Sequence, residues 1–279
     1  MLTISLFMSA STALAFRFDT DALKSMGDKL KQLKPVSEKD EIALGKGIAA
    51  NLTGAAPLVN DAALQRYVNQ IGMWLAMHTD RPNLPWRFGV LDDMMVNAFA
   101  TPGGYVFITR GLLMQCRDEA ELAGILAHEI SHVTARHALE TMRKGAVAGL
   151  AGDVLGEYAK SKGHEGYSKL VNAGTEIYTR GLDKEDEFAA DRVGAVIAAR
   201  AGYDPYGLPS VLQTVASINP QSDAVALMFK THPNTAERVE KVLVAMDGRL
   251  DKYSEQPKLQ NRFAQVMQAH VAAYKPAKR

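Results

Sequence analysis

Cysteine is almost missing from this chain: its 279 residues contain one, Cys116. No intrachain disulfide can form. A single cysteine in a chain with seven histidines admits a cysteine hydrolase, but a small buried or half-buried thiol is the plainer reading. An excess of charge of one sign is missing too. Thirty-two Lys and Arg stand against thirty-one Asp and Glu, a formal +1, whereas a nucleic-acid binder would show a basic surplus. Beyond the first residues no stretch of eighteen or more apolar residues occurs, so no stable membrane span is expected in the mature chain. Internal repeats and long linkers are absent as well. What is abundant is apolar sequence, 47% of residues, enough for a sizeable core in one large domain or two small ones.

The amino terminus reads as an export signal. Met1 to Ala15 carry no charged side chain, and as a helix they would span roughly 22 Å, short of the roughly 30 Å hydrocarbon core. Ala13-Leu14-Ala15 has the small-x-small form of a signal-peptidase site, and polar sequence follows from Arg17. No Lys or Arg precedes the apolar run, a departure from the usual pattern. The expectation is a cleaved signal over residues 1–15 and a periplasmic mature protein. The alternative is a hydrophobic amino-terminal helix that stays in place.

Helical patterning dominates the rest. Asp19 to Leu33 and Ser37 to Leu52 are amphipathic, and Asn60 is placed to cap a helix with Leu64, Tyr67, Val68, Ile71 and Leu75 on its apolar face. Trp86 to Leu91 and Gly104 to Thr109 read as strands, the second after a Pro102-Gly103-Gly104 turn. Asp118, with Glu121 three residues on, has the form of a capping box opening a helix that runs to about Met142. Gly145 to Gly163, rich in Gly and Ala, reads as a close-packed or mobile helical excursion, with membrane contact the lesser option. Further helices are expected over Lys184 to Ala201, from Pro205, over Thr235 to Met246 and over Lys258 to Tyr274. The expected organisation is one catalytic domain over residues 16–250 and a helical tail over 251–279.

The helix after Asp118 contains His128-Glu129-Ile130-Ser131-His132. Histidines four apart lie on one helical face, one turn apart, so both imidazoles can reach one ion. The glutamate beside the first histidine can contact a water on that ion, the arrangement of the zincins. Leu122, Ile125, Leu126 and Val133 make the flanks apolar, so this is no solvated helix, and buried histidines need partners. A histidine six residues after the second, with a glycine midway, would mark a metzincin; Ala138 and Ala135 stand there instead. Gluzincins take a carboxylate from a later helix, and Glu187-Phe188-Ala189-Ala190-Asp191 supplies one. Glu187 can ligate while Asp191, one turn on, accepts from the far nitrogen of a ligand histidine. The small residues between them let the two helices approach. His137 and His164 have no partner that the pattern names and read as surface residues.

Four segments, in order and spacing, resemble the bacterial metalloprotease family that includes HtpX, the periplasmic BepA-type proteases and the CAAX-prenyl endoproteases. They are Asn97 to Gly104, Glu121 to His132, Glu187 to Asp191, and His232-Pro233 through Arg238. The resemblance covers roughly Leu64 to Met246. It implies an α+β, mostly helical gluzincin domain, with a small β-sheet whose edge strand flanks the zinc cleft. It implies one zinc ion per chain on His128, His132 and Glu187, with Glu129 as general base. Asn97, Ala98, Phe99 and Ala100 would line the substrate cleft, and strand Gly104 to Thr109 would offer the edge on which an extended peptide pairs. His232 would approach the zinc, as oxyanion donor or as a cap in a resting form, and Arg238 would hold that loop by a salt bridge. The multi-helix membrane framework of some members is not seen, so the nearer likeness is to soluble BepA-type proteases. About thirty residues follow Met246, and the expectation is a member without their tetratricopeptide array.

The expected function is zinc-dependent cleavage of misfolded or stalled exported polypeptides, outer-membrane proteins among them, as quality control. The alternatives are a chaperone-like client binder with a largely inhibited protease site, and a zinc hydrolase of small amides. The peptide-binding edge favours a polypeptide.

Overall fold

A computed structural model describes residues 36–147, 181–233 and 235–274. The expected signal, the helix read over Asp19 to Leu33, His164 and most of the Gly/Ala-rich stretch lie outside these residues. Helix α1 (Glu38–Ala55) is capped by Ser37, whose hydroxyl accepts from the Asp40 N–H at 3.2 Å. Helix α2 (Ala62–Ala76) is capped one residue later than expected: Asp61, not Asn60, accepts from the Ala63 and Leu64 N–H groups. Its buried stripe of Leu64, Val68, Ile71 and Leu75 packs on the sheet.

Three strands form that sheet: β1 (Arg87–Leu91), β2 (Ala98–Thr101) and β3 (Tyr105–Thr109). Their order is β1-β3-β2, with β3 parallel to β1 and antiparallel to β2. Two expectations change here. The strand from Gly104 to Thr109 is central, so it offers no edge. The edge beside the site is β2, a strand that the sequence did not signal: four residues of small and aromatic type show too little alternation. Gly103 and Gly104 make the tight β2–β3 turn with positive φ.

After a single turn of helix, α3 (Arg110–Leu113), comes the centre of the molecule, α4 (Glu119–Thr134). Every residue from Glu119 to Val133 is buried, the acids and histidines among them included. Asp118 accepts from the Glu121 N–H at 2.9 Å, while the Glu121 carboxylate returns to the Arg117 N–H at 2.7 Å. The helix expected to reach Met142 stops at Thr134. Arg136 adopts left-handed backbone, φ 59°, and a new helix, α5 (His137–Val147), starts after it. That conformation costs an arginine about 1–2 kcal/mol; the ion pair of Arg136 with buried Glu41, 3.1 Å, helps to hold it.

Helix α6 (Lys184–Arg200) makes the most extensive contact with α4. Gly194 is what allows this: a Cβ there would stand 2.9 Å from the backbone N of His128. Gly202, φ 87°, ends the segment. Helices α7 (Gly207–Ala216), α8 (Asp223–Thr231), α9 (Thr235–Met246) and α10 (Gln260–Ala273) complete the order. Of these, α8 had no counterpart in the sequence reading. Helix α10 is tied to the body through Arg262 to Glu119, His270 to Asp61 at 3.0 Å, and Tyr274 to Asp92 at 2.9 Å. Among the described residues no helix is long and apolar enough to cross a membrane.

Candidate metal centre

Four buried side chains from three segments converge: His128 and His132 of α4, Glu187 of α6, and His232 at the carboxy end of α8. One donor atom from each lies within 4.8 Å of all the others. The two imidazole Nε2 atoms are 3.0 Å apart. Glu187 Oε1 is 3.3 Å from His132 Nε2, and its Oε2 is 3.6 Å from His128 Nε2. Zinc bonds of about 2.0–2.2 Å at tetrahedral angles separate ligand atoms by roughly 3.3–3.5 Å, so the spacing fits. A second observation agrees. Glu187 is fully buried, yet its Oε1 has no hydrogen-bond partner. A buried carboxylate oxygen left so is costly, and a cation among these atoms removes the cost.

Behind the histidines lie further groups. His128 Nδ1 is 2.9 Å from Asp191 Oδ1, which makes His128 the Nδ1–H tautomer with a bare Nε2. Arg238 of α9 grips Asp191 with two hydrogen bonds, 2.7 and 2.8 Å, and reaches Glu187 Oε2 at 3.0 Å. Burial works against both carboxylates, but His232 and Arg238 hold Glu187 well below its ordinary value, and Arg238 does the same for Asp191. Burial, then the charge of Arg238, lowers His128. Burial opposes the charged form of His232 as well, but Glu187, 2.9 Å from its Nδ1, outweighs it and raises the group to about 9. The other nitrogen of His232 donates to the Ala98 carbonyl at 3.2 Å and lies 3.9 Å from Glu129.

Glu129 lines a narrow cavity of about 30 Å³ together with His132, His232 and, from β2 and the residue before it, Asn97, Phe99 and Ala100. Ala98 lines a second, apolar cavity of about 40 Å³ that Glu129 and His232 also line. The Asn97 amide oxygen is engaged by the Ala98 N–H at 3.0 Å, so this side chain shapes the start of β2. His137, read from sequence as a surface residue, is buried, with Nδ1 2.8 Å from Nδ1 of His132. Burial, then the proximity of His132, pushes it down to about 4. The sequence signal was there only in the sense that the helix had to break: in a continuous helix His137 would point away from His132.

An HExxH helix, a carboxylate from a second helix and a small mixed sheet beside them define a gluzincin-type metallopeptidase domain. Comparison with known proteins agrees: the profile of peptidase family M48 matches residues 62–245, and the chain belongs to that family. It is 31% identical over 233 residues to the beta-barrel assembly-enhancing protease of Escherichia coli (strain K12), covering 81% of this chain and 47% of that protein. It is 32% identical over 209 residues to the putative beta-barrel assembly-enhancing protease of Vibrio cholerae, covering 71% and 42%. To the mitochondrial metalloendopeptidase OMA1 of Arabidopsis thaliana it is 30% identical over 156 residues, covering 56% and 30%. The chain thus spans about half the length, or less, of these relatives.

Proposed function

We propose that this chain is a zinc-dependent endopeptidase that cleaves exported polypeptides in the periplasm, as quality control of misfolded or stalled proteins. The observation that carries the reading is the unpartnered Glu187 oxygen facing two bare histidine nitrogens, with Glu129 one residue along from the first. His128, His132 and Glu187 would hold one zinc ion. What zinc supplies there when bound is Lewis acidity, which acidifies a water and polarises the scissile carbonyl. Glu129 takes the proton of the attacking water and later passes it to the leaving amine. Asp191 keeps His128 in the right tautomer, and Arg238 holds Asp191. Asn97, Phe99 and Ala100 line the cavity at Glu129 and Ala98 the second one beside it, so the substrate would run along β2.

His232 is read as a cap on the site in a resting form, because its ring already stands among Glu187, the Ala98 carbonyl and Glu129; to ligate the metal it would first give up the Nδ1 proton that it donates to Glu187. The competing role, donation to the tetrahedral oxyanion, predicts the opposite outcome. His232→Ala raises peptidase activity with some loss of metal affinity if it caps. It lowers turnover by roughly a hundredfold if it donates. Wild-type turnover and affinity would leave neither role.

The beta-barrel assembly-enhancing relatives make outer-membrane proteins a natural substrate class. Domain limits of 16–250 and 251–279, with a signal over 1–15, belong to the same reading; amino-terminal sequencing of the native protein checks it, and Met1 retained in the cytosol would remove it. The decisive experiment is cleavage profiling of an unfolded-protein mixture, with Glu129→Gln as control. The narrow cavity gives a chaperone-like client binder some support; protection of clients by Glu129→Gln without cleavage by the wild type would favour that reading.

A further inference from the structure

The two histidines of α4 are backed by different groups. Behind His128 stands a carboxylate, the usual partner of a metal-binding imidazole. Behind His132 stands another imidazole, that of His137, with the rings edge to face and centroids 5.0 Å apart. We propose that His137 is a positioning residue for His132: its Nδ1 accepts the His132 Nδ1–H and so fixes His132 as the tautomer whose Nε2 lone pair faces the metal position. This rests on the reading of His132 as a metal ligand.

The placement of protons supports it. Two ring nitrogens 2.8 Å apart share one proton. With His132 Nε2 turned to the metal, the proton of neutral His132 sits on Nδ1 and is the one shared. His137 is then bare at Nδ1 and carries its own proton on Nε2. That nitrogen faces an acceptor, Asp186 Oδ1, at 3.7 Å. The opposite assignment, with His137 donating, would put the His132 proton on Nε2, aimed at His128 Nε2 3.0 Å away and at the space the metal needs. This assignment presents both α4 lone pairs to a common point, and the close approach of His128 Nε2, His132 Nε2 and Glu187 Oε1 is then left for a cation to meet.

The backbone is built for this contact. Five residues along an unbroken helix are roughly 140° around its axis, so His137 would face away from the site. The left-handed residue Arg136 breaks the helix between α4 and α5, and the imidazole of His137 comes back to His132. Asp186 precedes Glu187 on α6. The series His132, His137, Asp186 therefore starts on one helix of the metal position and ends on the other.

The test is the zinc dissociation constant, measured by chelator competition on the full chain carrying His137→Ala, His137→Asn or His137→Gln, with His132→Ala as reference. Loss of the partner behind a ligand histidine weakens metal binding by about 10–100-fold, and this is expected of His137→Ala. His137→Asn, whose amide oxygen sits near the lost Nδ1, should recover most of it, while the longer Gln should not. In ¹⁵N-histidine-labelled wild type, a coupling across the N–H···N bond should join His132 to His137. Affinity of His137→Ala within twofold of wild type overturns the proposal, as does equal affinity of Asn and Gln variants. Should the Ala variant fail to fold, the Asn and Gln pair decides alone. A His132→Ala chain with wild-type affinity would overturn the ligand reading itself and this proposal with it. Loss in His132→Ala beside an intact His137→Ala removes the positioning role only.

Discussion

Glu119 and Glu187 are both fully buried carboxylates near the start of long helices, yet they are opposites. Glu119 accepts from the Tyr67 hydroxyl at 2.7 Å, the Tyr203 hydroxyl at 2.8 Å, and Arg262. Burial, then the Glu119 carboxylate, pushes both phenols well above their ordinary value, so they stay protonated and donate. This node joins α2, α4, the turn after α6 and α10. Glu187 also has cationic neighbours, but one oxygen is left without a donor and faces imidazole nitrogens. Burial and charge alone therefore do not distinguish a fastening from a reactive site. The unmet valence sets them apart: one Glu187 oxygen has no donor and faces imidazole nitrogens, whereas both oxygens of Glu119 are met by donors.

The sharpest break of this contrast is Glu187→Ala. Zinc content, measured by elemental analysis, is expected to fall strongly, as in His128→Ala and His132→Ala. Full occupancy at wild-type affinity would show Glu187 to be as structural as Glu119. Next in size is Glu129→Gln. The amide cannot take a proton, so turnover should drop by about 10²–10⁴-fold or more while zinc content and thermal melting stay at wild-type values. Unchanged turnover on an unfolded-protein substrate would take Glu129 out of the chemistry.

Much of this site was legible because helical spacing is a strong rule. Residues four apart share a face, and that brought His128 and His132 together and paired Glu187 with Asp191. The mostly helical class and two of the three strands followed from period and turn residues. What escaped the reading has a common physical character. Arg136 in left-handed backbone is a choice that no side-chain pattern announces, since glycine or asparagine would be the usual signal, and an unbroken helix would carry His137 away from His132. Strand β2 is held by pairing with β3, not by its own propensity. Glu119 carries no local signal of its role, since its donors come from α2, α10 and the turn after α6.

Asp191→Asn probes the support behind the reactive side. The amide oxygen can still accept from His128, but the charge is gone and Arg238 loses its bidentate partner. Zinc affinity should weaken by about 10–100-fold. Stability against denaturant should fall by about 3 kcal/mol, the scale of a broken buried ion pair. Wild-type affinity together with lost stability would turn Asp191 into another Glu119, a fastening that happens to lie near the site.

The smallest effect is expected at Glu119 itself, through Tyr203→Phe. This removes one of its donors and no volume of consequence. Tyr67 and Arg262 remain to satisfy the carboxylate, and Arg262 is about half exposed, so solvent can help to make up the loss. The cost should stay near the lower end for a hydrogen bond to a charged group, about 1.5 kcal/mol, or a few degrees in thermal midpoint for a chain of this size. Zinc affinity and peptidase turnover should not move, because the node touches none of the residues around Glu187. A Tyr203→Phe chain that melts as expected but binds zinc tenfold more weakly would mean that the fastening at the start of α4 sets the spacing of His128 and His132. The two carboxylates would then be one mechanical system and not two.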